Sequence, residues 1–401
     1  MELKTDRQNY LDWLRILAIF GVLVYHSARP FITDDPWHIN NETTSNLLME
    51  FNFFMSRFRM HLLFFISGAI TIYIIRKKST FSFVGLRAKR LLIPVVVGMF
   101  FIVPPQIYFE RLTQGFEGNF FDLYRSVFHF VPYPEGNLSW HHLWFIVYLA
   151  LYNILLAPFF TWSASDKGKI WVEKLKFFAE GRKIYWLIVP SVIWFSYTVL
   201  HFPQTHNLIQ DPAYFVYWLL FLLVGYLCML QPALMDSLER NRKTSLSIAF
   251  LMIIGINALR WNGFEWHEWV NDWSNHPLTP LFIAKQPINS WFWVFAIVGY
   301  GKRYLNKPHA SLPYLNEAVY PFYILHQTVI VVIGYYVIQV SESIGMKFLF
   351  ITILTLMLSL GIYHLYIKPF NFMRMLFGLK PLDKKKKVLM VRSSQYPVMS
   401  S

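Results

Sequence analysis

The sequence predicts an all-α polytopic membrane protein with about ten transmembrane helices and both termini in the cytoplasm. Of its 401 residues, 55% are hydrophobic and only 15% are charged, whereas soluble domains are about 25% charged. The apolar residues form separate runs of about 17–25 residues, the length a helix needs to cross the hydrocarbon core. The 15 Trp, 23 Tyr and 38 Phe residues suit the aromatic belts at the two bilayer surfaces.

The predicted spans follow one another along most of the chain. They are approximately residues 11–27, 58–75, 91–109, 142–161, 185–201, 213–230, 244–260, 288–304, 317–339 and 346–367. Residues 1–380 are expected to form one transmembrane domain, and residues 381–401 a basic cytoplasmic tail near anionic membrane lipid. The first run lacks a small-residue cleavage site, so we expect it to remain as a helix.

The basic residues orient these helices. Most of the 37 Lys and Arg residues fall in alternate loops, and the positive-inside rule assigns those loops to the cytoplasm. This predicts a multi-pass protein of the plasma (inner) membrane. The formal charge of +14 lies in short loops between spans, which argues against a nucleic-acid partner. Cys228 is the only cysteine, which excludes disulfides within the chain and cysteine-rich metal sites.

The first helix carries a polar stripe. Asp12, Arg15 and His26 fall on one side of it, because Arg15 and His26 are separated by about three full turns and Asp12 stands three residues before Arg15. Lipid cannot accept this stripe, so it must face the protein interior or a water-filled cavity. The alternative is a helix-end pair of Asp12 with Arg15 and a separate hydrogen-bonded core histidine.

Three further predicted helices carry histidines or polar aromatic residues at a depth in the membrane similar to that of His26. Because histidines within membrane helices are usually functional, we expect them to share one polar cavity with His26. The alternative is that those near the helix ends are ordinary interface residues. The candidates for the acceptor side of this cavity are His61, His142, Trp144, Tyr323 and His326.

The sequence predicts no metal site and no resident cofactor. No two histidines within a span have the i, i+4 spacing that places two ligands on one helix face. The densest set of possible ligands lies at Glu265, His267, Glu268, Asp272 and His276. This set falls in a long outer loop, where solvated side chains are the expected interpretation.

Arg87 and Arg90 stand at the predicted cytoplasmic entry of the third span. They are three residues apart and share a helix face, so they could bind phosphate groups bidentately. Simple anchoring of the loop by positive charge would explain them equally well.

Taken together, the motifs resemble acyltransferase family 3, integral membrane O-acyltransferases, and within it the glucan biosynthesis protein C branch. The matching segments occur in the family's order over residues 10–340. They are Leu11–Arg15 with His26, Leu63–Gly68, Arg87–Pro94, His142–Phe145 and Tyr320–His326.

The resemblance implies transfer of an acyl group, of the acetyl or succinyl class, from cytoplasmic acyl-CoA to a hydroxyl of an extracytoplasmic glycan. Acyl-CoA is then a co-substrate, His26 the general base, and Arg87 and Arg90 the donor-binding pair. Asp12 and Arg15 belong to the same candidate catalytic stripe, but Arg15 lies about 16 Å from His26 along the helix. They are therefore assigned to structure or donor binding. The mechanism needs a cavity that crosses the bilayer and reaches these arginines.

Three alternatives stay open. A secondary transporter of a small anionic or sugar substrate would also carry charged residues in its spans. Another class of membrane acyltransferase could use His326 as its base. A non-catalytic scaffold explains the buried charges least well. The oligomeric state is left open.

Overall fold

Helices form along nearly every apolar run, since a backbone in lipid must satisfy its own hydrogen bonds. The computed structural model describes residues 8–33, 37–75, 78–264 and 266–382, and within them the only β pairing is an isolated bridge between Pro132 and Leu138. Arg76, Lys77, Glu265 and the basic tail from residue 383 onward lie outside the described residues.

The α-helices are numbered here in chain order. They are α1 Asn9–Ala28, α2 Asn46–Ser56, α3 Arg59–Ile75, α4 Thr80–Val97, α5 Pro104–Thr113, α6 Phe120–Val127, α7 Trp144–Leu155, α8 Ala157–Ser163, α9 Lys169–Lys174, α10 Val189–Thr198, α11 Pro212–Leu230, α12 Pro232–Arg240, α13 Arg242–Trp261, α14 Trp266–Trp269, α15 Thr279–Tyr304, α16 Leu312–Val337, α17 Ile344–Ile362 and α18 Asn371–Leu376.

The all-α polytopic membrane fold is confirmed. Eight helical segments of the described residues are long and apolar enough to cross a membrane, and α7 with α8 forms a ninth span if the pair, bent by 56°, is counted as one. The predicted span at 185–201 differs from the rest. It divides into a 3-10 helix, Lys183–Ile188, and the ten-residue α10, with Pro190 in the first turn of α10, where a missing N–H is tolerated.

The centre of the protein is the packing of α3 against α11. A Cβ atom on Gly68 would stand 1.8 Å from the carbonyl oxygen of Leu222, and one on Gly225 would stand 2.0 Å from that of Phe65. Small residues let membrane helices approach this closely. The apolar motif around Gly68 therefore has a packing role that positions His61 at the start of α3.

The predicted inner segments meet at one end of the protein. Arg15 near the start of α1 donates to the backbone carbonyl of Asn316 at the start of α16 (3.2 Å) and to the Asn316 side chain. Arg374 of α18 pairs with Glu317 at 2.7 Å. The arginines at the start of α1 and in α18 therefore both join the first turns of α16.

The predicted outer loops meet at the other end. His38 contacts Glu110, Trp140 donates to the carbonyl of His206 at 3.2 Å, and Lys347 donates to Asn41 at 2.8 Å. The helices thus separate two groups of loops in the way that the charge pattern predicts. Which group faces the cytoplasm stays a prediction of the positive-inside rule.

Cysteine labelling tests this orientation. In a Cys228→Ser background, cysteines replacing the exposed residues Thr43 and Glu117 should react in intact cells with a membrane-impermeant maleimide. Cysteines replacing the exposed residues Lys78 and Lys176 should react only after the membrane is permeabilised. Labelling of the second pair in intact cells would invert the protein and place Arg87 and Arg90 on the wrong side for a cytoplasmic donor.

Candidate active site

A cavity of about 770 Å³ opens at the end of the helices that carries the predicted outer loops. Its volume is within the size range of small-molecule sites. It is called the His26 cavity below. Its walls are formed by side chains from α1, α3, α7, α11, α15 and α16 and from residues 29, 37–38, 132–142 and 204–207. Its polar and aromatic lining includes Tyr25, His26, Arg29, Trp37, His38, Arg57, Arg59, His61, Tyr133, Trp140, His141, His142, Trp144, His206, Tyr217, Trp218, Tyr323 and Gln327.

His26 lies in the last turn of α1 and lines this cavity. The helix ends just after it, because Pro30 enters the following 3-10 turn, Arg29–Phe31, and proline cannot continue an α-helix hydrogen-bond ladder. The apolar faces of α1 pack against neighbouring helices. His26, which was predicted to lie on a polar stripe of the first helix, therefore lies in the wall of a cavity.

His26 contacts His326 of α16. The Nδ1 atom of His26 is 2.9 Å from the Nε2 atom of His326, and the two rings stack within 5° of parallel. His326 is completely buried and does not itself line the cavity. Sequence reasoning treated these histidines as rival bases, whereas the structure joins them as a pair.

The hydrogen bonds determine the tautomers of the neutral pair. His326 Nδ1 is 2.6 Å from the carbonyl oxygen of Tyr323, and a carbonyl only accepts, so this nitrogen carries a proton. Nε2 of His326 is then an acceptor and receives the Nδ1–H of His26. The remaining nitrogen of His26, Nε2, keeps a free lone pair, which is what a general base requires.

His142 and Tyr323 join the start of α7 to α16. His142 Nε2 donates to the carbonyl of Ile324 at 3.0 Å, and the Tyr323 hydroxyl donates to the carbonyl of His142. Gln106 stands 3.4 Å from the other ring nitrogen of His142. Both predicted cavity residues line the cavity, and their hydrogen bonds hold its wall together.

His61 and Trp144 also line the cavity, as expected. The His61 ring is packed among Tyr217, Trp218 and Phe221 with centroids 4.6–5.3 Å away, and its Nδ1 atom is buried without a hydrogen-bond partner. Four of the five residues expected at this cavity therefore line it together with His26, whereas His326, the fifth, lies buried behind His26.

Three arginines of the lining were missed from the sequence. Arg29, Arg57 and Arg59 all reach the cavity, and the Arg59 guanidinium lies 3.4 Å above the Tyr25 ring, next to His26 in the chain. Their signal was their position: they stand at the outer ends of predicted spans, where the positive-inside rule leaves few Lys and Arg residues. They place positive charge where a negative group would bind or form.

The residues expected at the inner mouth do not line this cavity. Arg15 is 3.9 Å from Asp12, and the rise of α1 puts Arg15 about 16 Å and Asp12 about 21 Å from His26 along the helix. Arg87 donates to Asn153 of α7 at 3.0 Å. One turn later in α4, the carbonyl of Arg90 accepts from the hydroxyl of Tyr320, which lies one turn after the Asn316 that Arg15 contacts. The three arginines thus form a separate cluster, and the single cavity expected to reach them ends short of it.

A set of possible metal ligands stands at the cavity edge. One ligand atom each from His38, Glu110 and His141 lies within 4.8 Å of the others. The set comes from three separate segments, so a search for paired ligands on one helix could not find it.

Comparison with known proteins gives one family. A family model described as an acyltransferase domain matches residues 8–364. Curated relatives include the "Glucans biosynthesis protein C" of Salmonella heidelberg, 23% identical over 94% of this chain and 96% of the relative. The protein of the same name from Escherichia coli O157:H7 is 23% identical over 95% of this chain and 96% of the relative. No solved structure matches the chain.

Proposed function

This chain belongs to acyltransferase family 3 and is a membrane O-acyltransferase; on that premise we propose that it transfers an acyl group from acyl-CoA to a hydroxyl of an extracytoplasmic glycan, with His26 as general base. The observation that carries the proposal is the His26–His326 hydrogen bond. It leaves the free lone pair of His26 on a side chain that lines a cavity of substrate size.

The proposed reaction needs one base and no covalent enzyme intermediate. Nε2 of His26 takes the proton of the acceptor hydroxyl as its oxygen attacks the thioester carbonyl. The new C–O bond forms, the C–S bond breaks, and the CoA thiolate leaves with the proton that His26 returns. Imidazole suits both proton transfers, because its ordinary pKa lies near neutrality.

His326 orients His26 for this step and stabilises its protonated form. When His26 takes a proton at Nε2, its ring becomes a cation whose Nδ1–H already donates to His326 at 2.9 Å. The Tyr323 carbonyl in turn orients His326. In this proposal His326, rather than a carboxylate, orients His26.

The cavity arginines suit the negative charge that develops on the thioester oxygen. Arg59 lies beside Tyr25, and Arg29 lies one turn beyond His26. Fixed positive groups in a site with little water stabilise such an oxyanion strongly. The same charges would attract an anionic acyl group of the succinyl class, while an acetyl group would not use them.

The acceptor is proposed from the lining and from the relatives. Aromatic faces of Trp37, Trp144 and Trp218 stand with polar side chains around the same space, the mixture expected where apolar rings hold a ligand and a few polar groups orient it. The curated relatives are named for glucans, so a glucan is the first acceptor to test.

The donor is proposed to enter from the opposite end. Arg87 and Arg90 lie one turn apart on α4. The Tyr320 hydroxyl of α16 donates to the carbonyl of Arg90 at 3.4 Å, one turn after the Asn316 that Arg15 contacts. A bound polyphosphate would offset the repulsion among these positive charges. Guanidinium groups bind phosphate bidentately, so acyl-CoA as co-substrate fits this cluster. The His26 cavity does not reach it, so donor binding must open a path between the two.

The base assignment predicts unequal effects of the two histidines. His26→Ala should reduce acyl transfer by about 10²–10⁴-fold, the usual contribution of a general base. His326→Ala should reduce it less, because the base remains but loses its orienting partner. The assay is transfer of labelled acetyl or succinyl groups from acyl-CoA to glucan oligosaccharides by purified protein in detergent, where no gradient exists.

The control is His201→Ala, an exposed histidine that should leave transfer unchanged. Full activity in His26→Ala, or a larger loss in His326→Ala, would contradict the assignment. A purified protein that moves substrate in vesicles but transfers no acyl group would instead support the transporter alternative.

The donor proposal predicts a graded effect at Arg90. Losing a charge-assisted hydrogen bond costs about 1.5–3 kcal/mol, so Arg90→Ala should weaken CoA binding by about ten- to a hundredfold. Arg90→Lys should be intermediate, since lysine lacks the bidentate fork. The exposed neighbour Lys89 supplies the matched control, and Lys89→Ala should bind CoA normally in calorimetry. Equal affinity in all three variants would reduce Arg87 and Arg90 to loop anchors.

A further inference from the structure

His38, Glu110 and His141 meet at the edge of the His26 cavity although they are far apart in the chain. His38 lies in the loop after α1, Glu110 in α5, and His141 at the start of the 3-10 turn before α7. One ligand atom of each lies within 4.8 Å of the others. Glu110 is buried, with 4% of its surface exposed, and its carboxylate accepts a hydrogen bond from His38 Nδ1.

His141 has a nitrogen without a partner. Its Nδ1 atom is 2.9 Å from the Ser139 hydroxyl, whereas its Nε2 atom is buried and makes no hydrogen bond. A buried polar atom without a hydrogen-bond partner destabilises the folded protein. When Nδ1–H donates to Ser139, Nε2 carries a lone pair that a cation would satisfy.

Each of the three side chains also has a hydrogen-bond partner outside the set that orients it. The Tyr133 hydroxyl donates to the other Glu110 oxygen at 2.6 Å, and burial, then this hydrogen bond, raise the pKa of Tyr133 well above its usual range. Gln327 stands 3.1 Å from His38 Nε2, and Ser139 holds His141. Metal-binding histidines and carboxylates have outer partners of this kind.

We propose that His38, Glu110 and His141 bind a divalent first-row cation of the zinc class. Two imidazoles with one carboxylate form a ligand set that zinc accepts, with a fourth position left for water or a substrate oxygen. His38 and His141 both line the cavity, so that fourth position would face it. Ligands on a tetrahedral zinc ion lie roughly 3.3–3.6 Å apart. His38 Nδ1 and the Glu110 carboxylate, now in direct hydrogen-bond contact, would therefore move apart to admit the ion, while the His141 ligand atom, within 4.8 Å of them, would close by about 1 Å.

The cation would replace the proton that His38 and Glu110 now share. His38 then binds through Nδ1, and its Nε2–H donates to the amide oxygen of Gln327 once that amide turns over. Gln327 follows His326 in the chain, and Trp37, beside His38, stacks on His26 at 6.2 Å. A bound cation would therefore fix the loop after α1 next to the proposed base. The binding proposal itself stands apart from the acyl-transfer reaction.

Metal analysis of the purified protein tests the proposal without any activity assay. Protein without an affinity tag is treated with a chelator, dialysed against buffered Zn²⁺, and analysed by plasma mass spectrometry. We expect one zinc per chain. His141→Ala and Glu110→Gln should lose it, and Tyr133→Phe should weaken binding by about 10–100-fold, as is usual for an outer partner.

His201→Ala supplies the matched control and should retain the metal. Co²⁺ added to the unaltered protein should give the visible d–d bands of a four-coordinate site, a readout that does not depend on any variant folding. No zinc above the level of His141→Ala would overturn the proposal and leave His38 and Glu110 as a hydrogen-bonded pair. Zinc retained by both ligand variants would also overturn it, because the metal would then be bound elsewhere.

Discussion

The hydrogen bond between His26 and His326 joins α1 to α16 inside a membrane protein, where unsatisfied polar groups are costly. Four atoms in a row determine it: the Tyr323 carbonyl, the two nitrogens of His326, and Nδ1 of His26. Because the first of these can only accept, the protons along the row have one arrangement in the neutral pair. The free nitrogen of His26 follows from that arrangement, and so does the role proposed for it.

The close packing of the helices keeps this row in place. Gly68 and Gly225 let α3 and α11 approach backbone to backbone, which positions His61 and Trp218 on the cavity wall. The hydrogen bonds of His142 and Tyr323 connect the 3-10 turn before α7 to α16. The packed helices thus hold the proposed base, while the loops around His38 and His141 line the space proposed for the acceptor.

Composition and helical periodicity were sufficient to predict the fold and one half of the site. The length of the apolar runs predicted the spans. Because polar side chains avoid lipid, their positions predicted that His26, His61 and His142 face a shared cavity. The 185–201 segment was harder, since apolar character does not distinguish one span from a 3-10 helix followed by a short α-helix. The His26–His326 pair could not be predicted, because it depends on how α16 rotates against α1. The contact between His38 and Glu110 could not be predicted either, because it depends on how the loop after α1 packs against α5. Arg29, Arg57 and Arg59 were visible as outer arginines, but only the packing shows that they turn inward.

The tautomer of His26 tests the central claim most directly. Nitrogen NMR of protein labelled with ¹⁵N-histidine, in nanodiscs and at a pH where both rings are neutral, distinguishes protonated from bare ring nitrogens. The His26 and His326 signals are identified by their loss in His26→Gln and His326→Gln. The account predicts a proton on Nδ1 and none on Nε2 for both rings. A proton on Nε2 of His26 would contradict it, because that nitrogen could not then accept a proton from the acceptor hydroxyl.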